Sequence, residues 1–362
     1  MYKKIGFIGL GLIGGSIAKN IKRVFPEIAL IGLSGHESTI KAAHDDGVLD
    51  NDTNASPEEI ASCDLIFLCT PVQKNLEYLS ALKPLIGPDT IITDVGSVKG
   101  DINNMVESLG LESSFIGGHP MAGTENSGYA YANAYLIENA YYILTVTDKI
   151  SETHVKALED FIKALGAIPI TMTPKEHDYA TAAISHLPHV LAAALVNLVR
   201  ESDTKDEVMK TIAAGGFKDI TRIASSSSVM WQNICLENKD EILRLIDGFT
   251  AQFKDMRSRI ESADADGIFD FFKTAKDYRD SFTVNSKNGI RFELFIDLID
   301  KAGGIATIAT LLANNNINIK NIGIVHNREF EQGVLHIELY DKPSLDKTVD
   351  LLRNNSYTVY ER

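Results

Sequence analysis

The composition of this chain is that of a globular protein with more than one domain. Its 362 residues exceed what a single hydrophobic core usually serves. Apolar residues make up 44% and charged residues 23%, proportions typical of proteins that bury a core in water. The net charge of −14, without any clustered run of basic residues, argues against a nucleic-acid-binding surface.

Cysteine usage and apolar segments bear on the location of the protein. Cys63, Cys69 and Cys235 are odd in number and widely spaced, which favours neither a disulfide framework nor a zinc cluster. The first apolar run is short and interrupted by glycines, unlike a signal peptide. The longest apolar stretch, 181–199, contains two histidines and a proline, which a membrane span rarely carries. We therefore expect a cytoplasmic protein without a membrane partner.

A glycine motif near the start predicts a dinucleotide-binding site. A short apolar run at 5–8, typical of a buried strand, leads into Gly9-x-Gly11-x-x-Gly14, and apolar residues then continue at helical spacing. Gly9 permits the tight turn, Gly11 lets the backbone approach a pyrophosphate, and Gly14 lets the helix pack closely on the strand. The N–H groups and positive dipole end of that helix favour phosphates. The residues predicted to bind the cofactor here are Gly9, Leu10, Gly11, Leu12, Ile13 and Gly14.

The end of the second predicted strand bears on which dinucleotide binds. Roughly twenty residues after the glycine motif, NAD enzymes usually carry Asp or Glu for the ribose hydroxyls. Ser34 stands there, able to donate a hydrogen bond but without a charge to repel a 2′-phosphate, and no arginine stands beside it. The sequence therefore favours NAD and does not exclude NADP. Thr70 and Pro71 follow the third strand at the ligand-binding edge of the sheet, so we include them in the cofactor site.

Three domains are predicted from the change of pattern along the chain. Residues 1–173 alternate short apolar runs with helical patterns, which predicts a Rossmann-like, doubly wound parallel sheet. The predicted strands are 5–8, 29–33, 65–69, 91–94, 115–118, 142–146 and 168–172. Residues 174–286 are predicted to form an all-helical domain, from apolar residues spaced three and four apart. Its predicted helices are 178–201, 205–211, 228–237 and 239–263.

The last two segments carry expectations of their own. The helical domain is rich in apolar side chains such as Phe253 and Phe272, which favours a homodimer interface over a self-contained bundle. Residues 282–288 are polar and are interpreted as a linker. Residues 289–362 predict a ferredoxin-like βαββαβ domain that serves either as a stabilising appendage or as a ligand-sensing module. Its predicted strands are 290–297, 317–325, 333–340 and 357–360, and its predicted helices are 302–312 and 345–353.

Three clusters of polar residues follow the glycine motif. Ser97 lies where a strand end turns into a helix, and its hydroxyl either caps that helix or faces the nicotinamide. His119 follows a strand in a loop stiffened by proline and flanked by glycines, a placement suited to proton transfer. Lys218 and Arg222, four residues apart on a predicted helix, share a face and can hold a dicarboxylate. A proline separates the imidazoles of the segment 185–189 and no familiar ligand spacing is complete, so no metal is predicted.

The ordered set of motifs resembles that of the prephenate dehydrogenases. The motifs are Gly9-x-Gly11-x-x-Gly14, Asp94-x-Gly96-Ser97-x-Lys99, Gly118-His119-Pro120-x-x-Gly123-x-Glu125-x-Ser127-Gly128, Ser185-His186-Leu187-Pro188-His189 and Phe217-x-Asp219-x-Thr221-Arg222. The segments 300–305 and 317–322 resemble an ACT domain, so the likeness covers essentially the whole chain. It departs from the family at Ser34, where many relatives have Asp, and at Ala302-Gly303-Gly304, where ACT domains often carry Pro-Gly.

The resemblance implies NAD-dependent oxidative decarboxylation of prephenate to 4-hydroxyphenylpyruvate in tyrosine biosynthesis, with feedback by tyrosine. It implies that His119 takes the proton of the C4 hydroxyl, that Ser97 orients the reacting groups, and that Arg222 grips a carboxylate. His177 is expected either in this pocket or as a helix cap. The substrate-binding residues implied are Arg222, Lys218, His189, Glu125, His177 and Thr124.

Other functions remain open at this point. An arogenate dehydrogenase differs only in recognising an amino group, for which Glu125 is a candidate. A β-hydroxyacid dehydrogenase or imine reductase shares the domain plan but uses a helical lysine, whereas the helix after residue 178 supplies histidines. A non-catalytic sensor of NADH and an amino acid is a third alternative. Tyrosine, in turn, acts either through the ACT domain or at the active site.

Overall fold

Alternating strands and helices in the first half of the chain build one seven-stranded sheet. The computed structural model describes residues 2–124, 126–282, 292–298, 302–325 and 333–361. They divide into two units, Met1–Phe253 and Lys254–Arg362. The strands of the sheet are β1 (Lys4–Ile8), β2 (Ala29–Leu33), β3 (Leu65–Leu68), β4 (Ile91–Asp94), β5 (Phe115–Pro120), β6 (Tyr141–Thr145) and β7 (Ile168–Met172). The accompanying helices are α1 (Leu12–Val24), α2 (Glu37–Asp45), α3 (Pro57–Ala61), α4 (Val72–Leu82), α5 (Gly100–Leu109) and α6 (Glu152–Ala164).

The strand order is β2-β1-β3-β4-β5-β6-β7, and strands β1 to β5 run parallel. The order reverses between β1 and β3, which is where open α/β sheets bind ligands. The expectation of a wholly parallel sheet is wrong at one place, because β6 runs antiparallel to β5. In the described part of the connection 121–140 the only helical element is a 3-10 turn at Tyr129–Tyr131. Without a crossover helix the chain returns antiparallel.

All seven predicted strands are present, and their ends differ by at most two residues. The largest difference is at β5, which continues to Pro120 because Pro120 still pairs with Tyr142 of β6. His119 therefore lies in the last residues of a strand rather than in a loop, opposite Ile143. A strand position holds its side chain more firmly than a loop does.

Two apolar cores fill the two faces of the sheet. One contains Ile17 and Ile21 of α1 together with Phe161 of α6. The other contains Leu79 of α4 and Ile102 of α5. Since helices cover both faces, the central strands are apolar on both sides, which is why they appear in the sequence as short continuous apolar runs. The doubly wound fold is confirmed.

The middle of the chain is helical, as predicted. Its helices are α7 (Pro174–Thr181), α8 (Leu187–Ser202), α9 (Val208–Ile212), α10 (Gly215–Thr221), α11 (Ser228–Glu237), α12 (Lys239–Glu261) and α13 (Ala265–Ser281). The single helix predicted at 178–201 is wrong in detail, because a π-helical turn at Ala182–His186 separates α7 from α8. Pro188 sits in the first turn of α8 and lacks the N–H that a continuous α-helix would use. A 3-10 turn at Arg222–Ser225 follows α10.

The run Pro174–Ser202 is long and apolar enough to cross a membrane by length and composition, and 22% of its most apolar window is buried. One such segment is weak support for a span, since a helix of a soluble protein passes the same test. Its polar side chains His177 and His186 are almost fully buried inside this unit. Its apolar side chains Ile184 and Leu198 are instead 68% and 60% exposed. That pattern fits a helix that pairs with another protein surface, and the expected lack of a membrane partner stays a prediction.

The second unit contains a four-stranded antiparallel sheet. Its elements are β8 (Phe292–Leu298), α14 (Gly304–Asn314), β9 (Ile319–Val325), β10 (Gly333–Leu339), α15 (Lys342–Asn354) and β11 (Val359–Glu361). The strand order β11-β8-β10-β9 is that of a ferredoxin-like fold, so this part of the predicted fold class is confirmed. Ile296, Ile308 and Leu352 belong to its core. Most of the predicted linker, 283–288, lies outside the described residues, and the boundaries of the three predicted domains stay predictions.

Candidate active site

The glycine motif has the geometry that a dinucleotide needs. Gly9 has a φ of +91°, and a Cβ there would lie 2.9 Å from the backbone of Cys69. A Cβ on Gly14 would lie 2.7 Å from the carbonyl oxygen of Gly9. Around Gly11, by contrast, no described atom lies within 4 Å of the Cβ position, and helix α1 begins there without a side-chain cap. The backbone of Gly11 and the N–H groups of the first turn are therefore open to a phosphate.

The ends of β1 and β3 meet at the point where the strand order reverses. The methyl group of Thr70 would lie 2.9 Å from a Cβ on Gly9, and its hydroxyl donates to Asn75 Oδ1 over 2.7 Å. Pro71 is exposed and is the N-cap residue of α4. Leu10 is 3% exposed and packs into the core, so only its backbone faces the predicted site, while Leu12 and Ile13 are half-buried in the first turn of α1.

Ser34 is held by a neighbouring loop. Its N–H donates to Asn54 Oδ1 over 2.8 Å, and its carbonyl oxygen accepts from Asn54 Nδ2 over 3.0 Å. Its hydroxyl accepts weakly from the N–H of His36, at 3.4 Å. The end of β2 thus presents neutral polar groups. Together with the open glycine turn, this fits a dinucleotide whose ribose is bound by uncharged hydrogen-bonding groups.

His119, at the end of β5, faces a second histidine. Its Nδ1 atom lies 2.8 Å from Nε2 of His177, which is fully buried on α7. Nδ1 of His177 in turn lies 2.8 Å from Oδ1 of Asp178. Burial, followed by the neighbouring His177 and the Lys99 ammonium, holds the pKa of His119 well below its usual value. His119 is therefore neutral at physiological pH, as a general base must be.

Asp178 links this pair to the start of a helix. Its carboxylate accepts from the N–H of Lys99 over 2.8 Å and from the N–H of Gly100 over 2.7 Å, at the start of α5. A carboxylate at this position satisfies two backbone donors and complements the positive end of the helix dipole. The alternative in which Ser97 caps α5 is therefore wrong, since Asp178 binds the first N–H groups of that helix. The alternative in which His177 caps a helix is also wrong, because His177 lies inside α7, whose cap is the Thr173 side chain.

A buried ion pair fixes the backbone beneath His119. Lys99 has no exposed surface and donates from Nζ to Oδ2 of Asp94 and, over 2.7 Å, to the carbonyl oxygen of Gly118. Oδ1 of Asp94 accepts from the N–H of Gly118 over 3.0 Å. Burial lowers the pKa of Lys99, whereas the Asp94 carboxylate opposes that shift. Both polar groups of Gly118 are thus bound by one ion pair, immediately before the histidine.

Two further histidines follow on the same helical run. Nδ1 of His186 accepts from Nδ2 of Asn238 over 3.1 Å, and the same Nδ2 also donates to the carbonyl oxygen of Asp178 over 2.8 Å. Burial lowers the pKa of His186 to about 4. His189 lies 2.8 Å, at Nδ1, from the carbonyl oxygen of Ser185, and its ring stacks on Trp231 with 3.8 Å between centroids. These contacts fix the orientation of both imidazole rings.

The remaining predicted site residues are more exposed. Lys218 lies on α10, and Arg222 is the first residue of the 3-10 turn that follows α10. Both α10 and this turn pack against α8, the helix that carries His189. Ser97 is half-buried in the turn after β4. Thr124 is exposed, and its hydroxyl accepts from the N–H of Asn126 over 3.3 Å. Glu125 lies outside the described residues.

Sequence reasoning assigns no role to two members of this cluster. Asp178 directly follows His177 in the chain, and a carboxylate beside a buried histidine is a recurrent orienting pair. Trp231, the single tryptophan of the chain, has a buried Nε1 with no partner among the described residues and stacks on His189. A unique tryptophan in a histidine-bearing domain is a signal that sequence inspection can use.

The fold and the site define a dinucleotide-dependent dehydrogenase, with a glycine turn at the switch point and a neutral histidine at the carboxyl edge of the sheet. The family model of the prephenate dehydrogenase nucleotide-binding domain matches residues 17–171, and that of the prephenate dehydrogenase dimerization domain matches 173–274. The chain belongs to the prephenate dehydrogenase family. The prediction of a dehydrogenase of this family, rather than a non-catalytic sensor, is confirmed.

Similar proteins cover most of the chain. Prephenate dehydrogenase of Bacillus subtilis is 40% identical over 333 residues, which are 91% of this chain and 90% of that protein. The crystal structure of prephenate dehydrogenase from Aquifex aeolicus, in complex with hydroxyphenyl propionate and NAD+, has a TM-score of 0.72 and 33% identity, covering 77% of this chain and 98% of its own. Arogenate dehydrogenase of Synechocystis has a TM-score of 0.70 and 31% identity, covering 77% of this chain and 99% of its own.

Proposed function

We propose that this protein converts prephenate to 4-hydroxyphenylpyruvate by oxidative decarboxylation with NAD+, a step of tyrosine biosynthesis. The observation that carries the proposal is the neutral His119 at the carboxyl end of β5. Strands β1 to β5 are parallel, so their carboxyl ends, and with them the glycine turn and His119, lie along one edge of the sheet. A base and a nucleotide loop on one edge suit hydride transfer.

The chemistry divides between cofactor, substrate and protein. NAD+, when bound along Gly9, Gly11 and Gly14 with Ser34 at the ribose, accepts the hydride that leaves ring carbon C4 of prephenate. His119 accepts the hydrogen bond of the C4 hydroxyl and takes its proton. The ring carboxylate then leaves as CO₂, its bonding electrons restore aromaticity, and the phenolate oxygen takes the proton back from His119. Because the substrate supplies much of the driving force, the protein mainly aligns the reactants and places charges.

The substrate carboxylates call for cations. We assign the bidentate grip to Arg222, which is suited to a planar carboxylate, with assistance from Lys218 and His189. These residues lie on α8, α10 and the turn that packs on α8. Ser97, Thr124 and Glu125 are proposed to complete the pocket.

A direct assay tests the proposed function. Purified protein is mixed with prephenate and NAD+, and the absorbance of the reduced nicotinamide is followed, with NADP+ in a parallel sample. We expect turnover that requires both substrates and is faster with NAD+. The absence of reduction with prephenate and with arogenate would refute the proposal.

A second candidate is arogenate oxidation. It is favoured by the likeness to the Synechocystis arogenate dehydrogenase, 31% identical over 77% of this chain. The two substrates differ only in the side chain, keto or amino. Side-by-side values of kcat/KM decide between them, and we expect the larger value for prephenate.

Homodimerisation is proposed through the helical segment. Its surface exposes large apolar side chains, including Ile212 at 71% and Ile220 at 65%. Exposed apolar area of this kind marks a protein interface. The matched family model is described as a dimerization domain. Light scattering coupled to gel filtration should give twice the chain mass of 39.7 kDa, and a monomer would contradict the proposal.

Feedback by tyrosine through the C-terminal unit is also proposed. Two observations support an ACT-type regulatory role. The C-terminal unit contains a ferredoxin-like sheet, and the match to the Bacillus subtilis protein extends over 91% of the chain. Deleting residues 289–362 should leave turnover measurable and abolish inhibition by tyrosine. Inhibition that survives the deletion would place tyrosine at the active site instead.

A further inference from the structure

The hydrogen-bond chain behind His119 has a direction that can be worked out from its far end. Both oxygens of Asp178 already accept backbone N–H groups, those of Lys99 and Gly100. N–H groups that donate to both oxygens of a carboxyl group favour its ionised form, which has no proton to donate. Asp178 is therefore an acceptor only. Its third partner, Nδ1 of His177 at 2.8 Å, must then be the donor.

The next link follows from the tautomers of imidazole. A neutral histidine carries one N–H, so a proton on Nδ1 of His177 leaves its Nε2 as an acceptor. That Nε2 lies 2.8 Å from Nδ1 of His119, which must therefore carry the proton of this bond. Nε2 of His119 is then left with its lone pair.

We propose that His177 and Asp178 are positioning residues that hold His119 in the tautomer whose Nε2 is the base. The proposal rests on the proposed function for the identity of the reaction. The order carboxylate, histidine, acting group is that of other enzymes in which a buried carboxylate fixes the tautomer of an imidazole. Here a second imidazole stands between the carboxylate and the base. This role differs from the substrate contact that the family resemblance implies for His177.

One other protonation pattern satisfies the same distances. If His177 carried protons on both nitrogens, its Nε2–H would donate to His119 and leave the His119 proton on Nε2, the wrong atom for a base. Three observations oppose that pattern. His177 has no exposed surface, so a charge there is fully desolvated. The Lys99 ammonium is already buried next to this cluster. The negative charge of Asp178 already interacts with the two N–H groups at the start of α5. This interaction weakens the electrostatic stabilisation that Asp178 gives to a protonated His177.

The tautomer can be observed without any turnover. The full-length protein, labelled with ¹⁵N at histidine and saturated with NAD+, is studied by ¹⁵N–¹H correlation spectroscopy near neutral pH, and His119→Asn identifies the signals of His119. We expect Nε2 of His119 to show the shift of an unprotonated nitrogen and Nδ1 that of an N–H. A proton on Nε2 of His119 would overturn the proposal, whatever reaction the enzyme catalyses.

Variants at His177 supply the kinetic test. His177→Leu removes the acceptor, so kcat should fall about 10²-fold, within the range that general-base catalysis contributes, while KM for prephenate changes less than about threefold. His177→Gln keeps an oxygen that can accept from Nδ1–H of His119 and should recover most of the lost kcat. The matched control is His44→Gln, an exposed histidine whose ring bonds only to the carbonyl of Leu49 among the described residues and which should leave kcat unchanged.

The outcomes separate positioning from folding. Equal losses in His177→Leu and His177→Gln, with unchanged melting temperatures, would overturn the proposal, as would wild-type kcat in His177→Leu. If His177→Leu fails to fold, the spectrum of the wild-type protein decides alone. Failure of the proposed function would appear differently, as a correct tautomer in a protein that does not oxidise prephenate.

Discussion

Replacing the buried lysine by methionine tests whether one ion pair supports both the sheet and the site. Lys99 has no exposed side-chain surface and its partner Asp94 has 1%. Methionine fills a similar volume but leaves the Asp94 carboxylate buried without a cation and the carbonyl of Gly118 without its donor. Removing one partner of a buried ion pair costs about 3–5 kcal/mol. At about 2–4 °C per kcal/mol for a unit of this size, Lys99→Met should lower Tm by roughly 6–20 °C.

Thermal unfolding followed by circular dichroism measures the effect, and Lys99→Met/Asp94→Asn is the matched control. Because the double variant removes both charges, it should regain at least half of the lost stability. It should not regain full kcat, since the carbonyl of Gly118 before His119 still lacks the ammonium donor. A Tm for Lys99→Met within about 2 °C of wild type would refute the reasoning, because a buried carboxylate without a cation should lower the free energy of unfolding by more than that.

Four further outcomes are expected. His119→Asn should retain fold and NAD+ binding while kcat falls by about 10²–10⁴, and near-normal turnover would remove His119 as the base. Arg222→Ala should raise KM for prephenate by the equivalent of about 2–5 kcal/mol, with the surface variant Arg257→Ala as control; an unchanged KM would exclude Arg222 from the site. Because the pKa of His119 is lowered by burial, His177 and Lys99, the acid limb of kcat/KM should lie below the ordinary histidine value, and a limb at or above pH 6.5 would contradict this. Burial lowers the pKa of His186 to about 4, so between about pH 6.5 and 4 the unfolded chain binds a proton at this residue and the folded chain does not. The free energy of unfolding should therefore fall by about 3 kcal/mol as the pH is lowered across that window. In urea titrations, His186→Gln should remove that part of the loss.

The sheet and the nucleotide turn could be predicted because their causes are local. A strand covered on both faces is a short apolar run, and seven such runs marked the seven strands. The glycine turn needs a residue at φ +91° and a close approach of helix to strand, which only Gly9 and Gly14 satisfy at their positions. Composition of this kind is visible without any knowledge of tertiary contacts.

The rest depends on contacts between distant parts of the chain. Asp178 caps a helix that begins 78 residues earlier, and no local pattern announces that partner. The extension of β5 through His119 depends on pairing with β6, whose direction follows from a connection without a crossover helix. Pro188 indicates an interruption near the junction of α7 and α8. A proline alone, however, does not show whether a helix ends or continues through a π-helical turn.

Asp178 connects the nucleotide-binding sheet to the helical segment at the candidate site. The carboxylate stands on α7 but binds the first N–H groups of α5, so α7 is fixed to the sheet at the same point where it presents His177. A shift of α7 would break the cap of α5 and the hydrogen bond between His119 and His177 together. Since α7 continues through the π-helical turn into α8, whose Leu198 is 60% exposed, whatever covers that face also bears on α7. Dimerisation through the helices would therefore stabilise the position of His119 as well as the assembly.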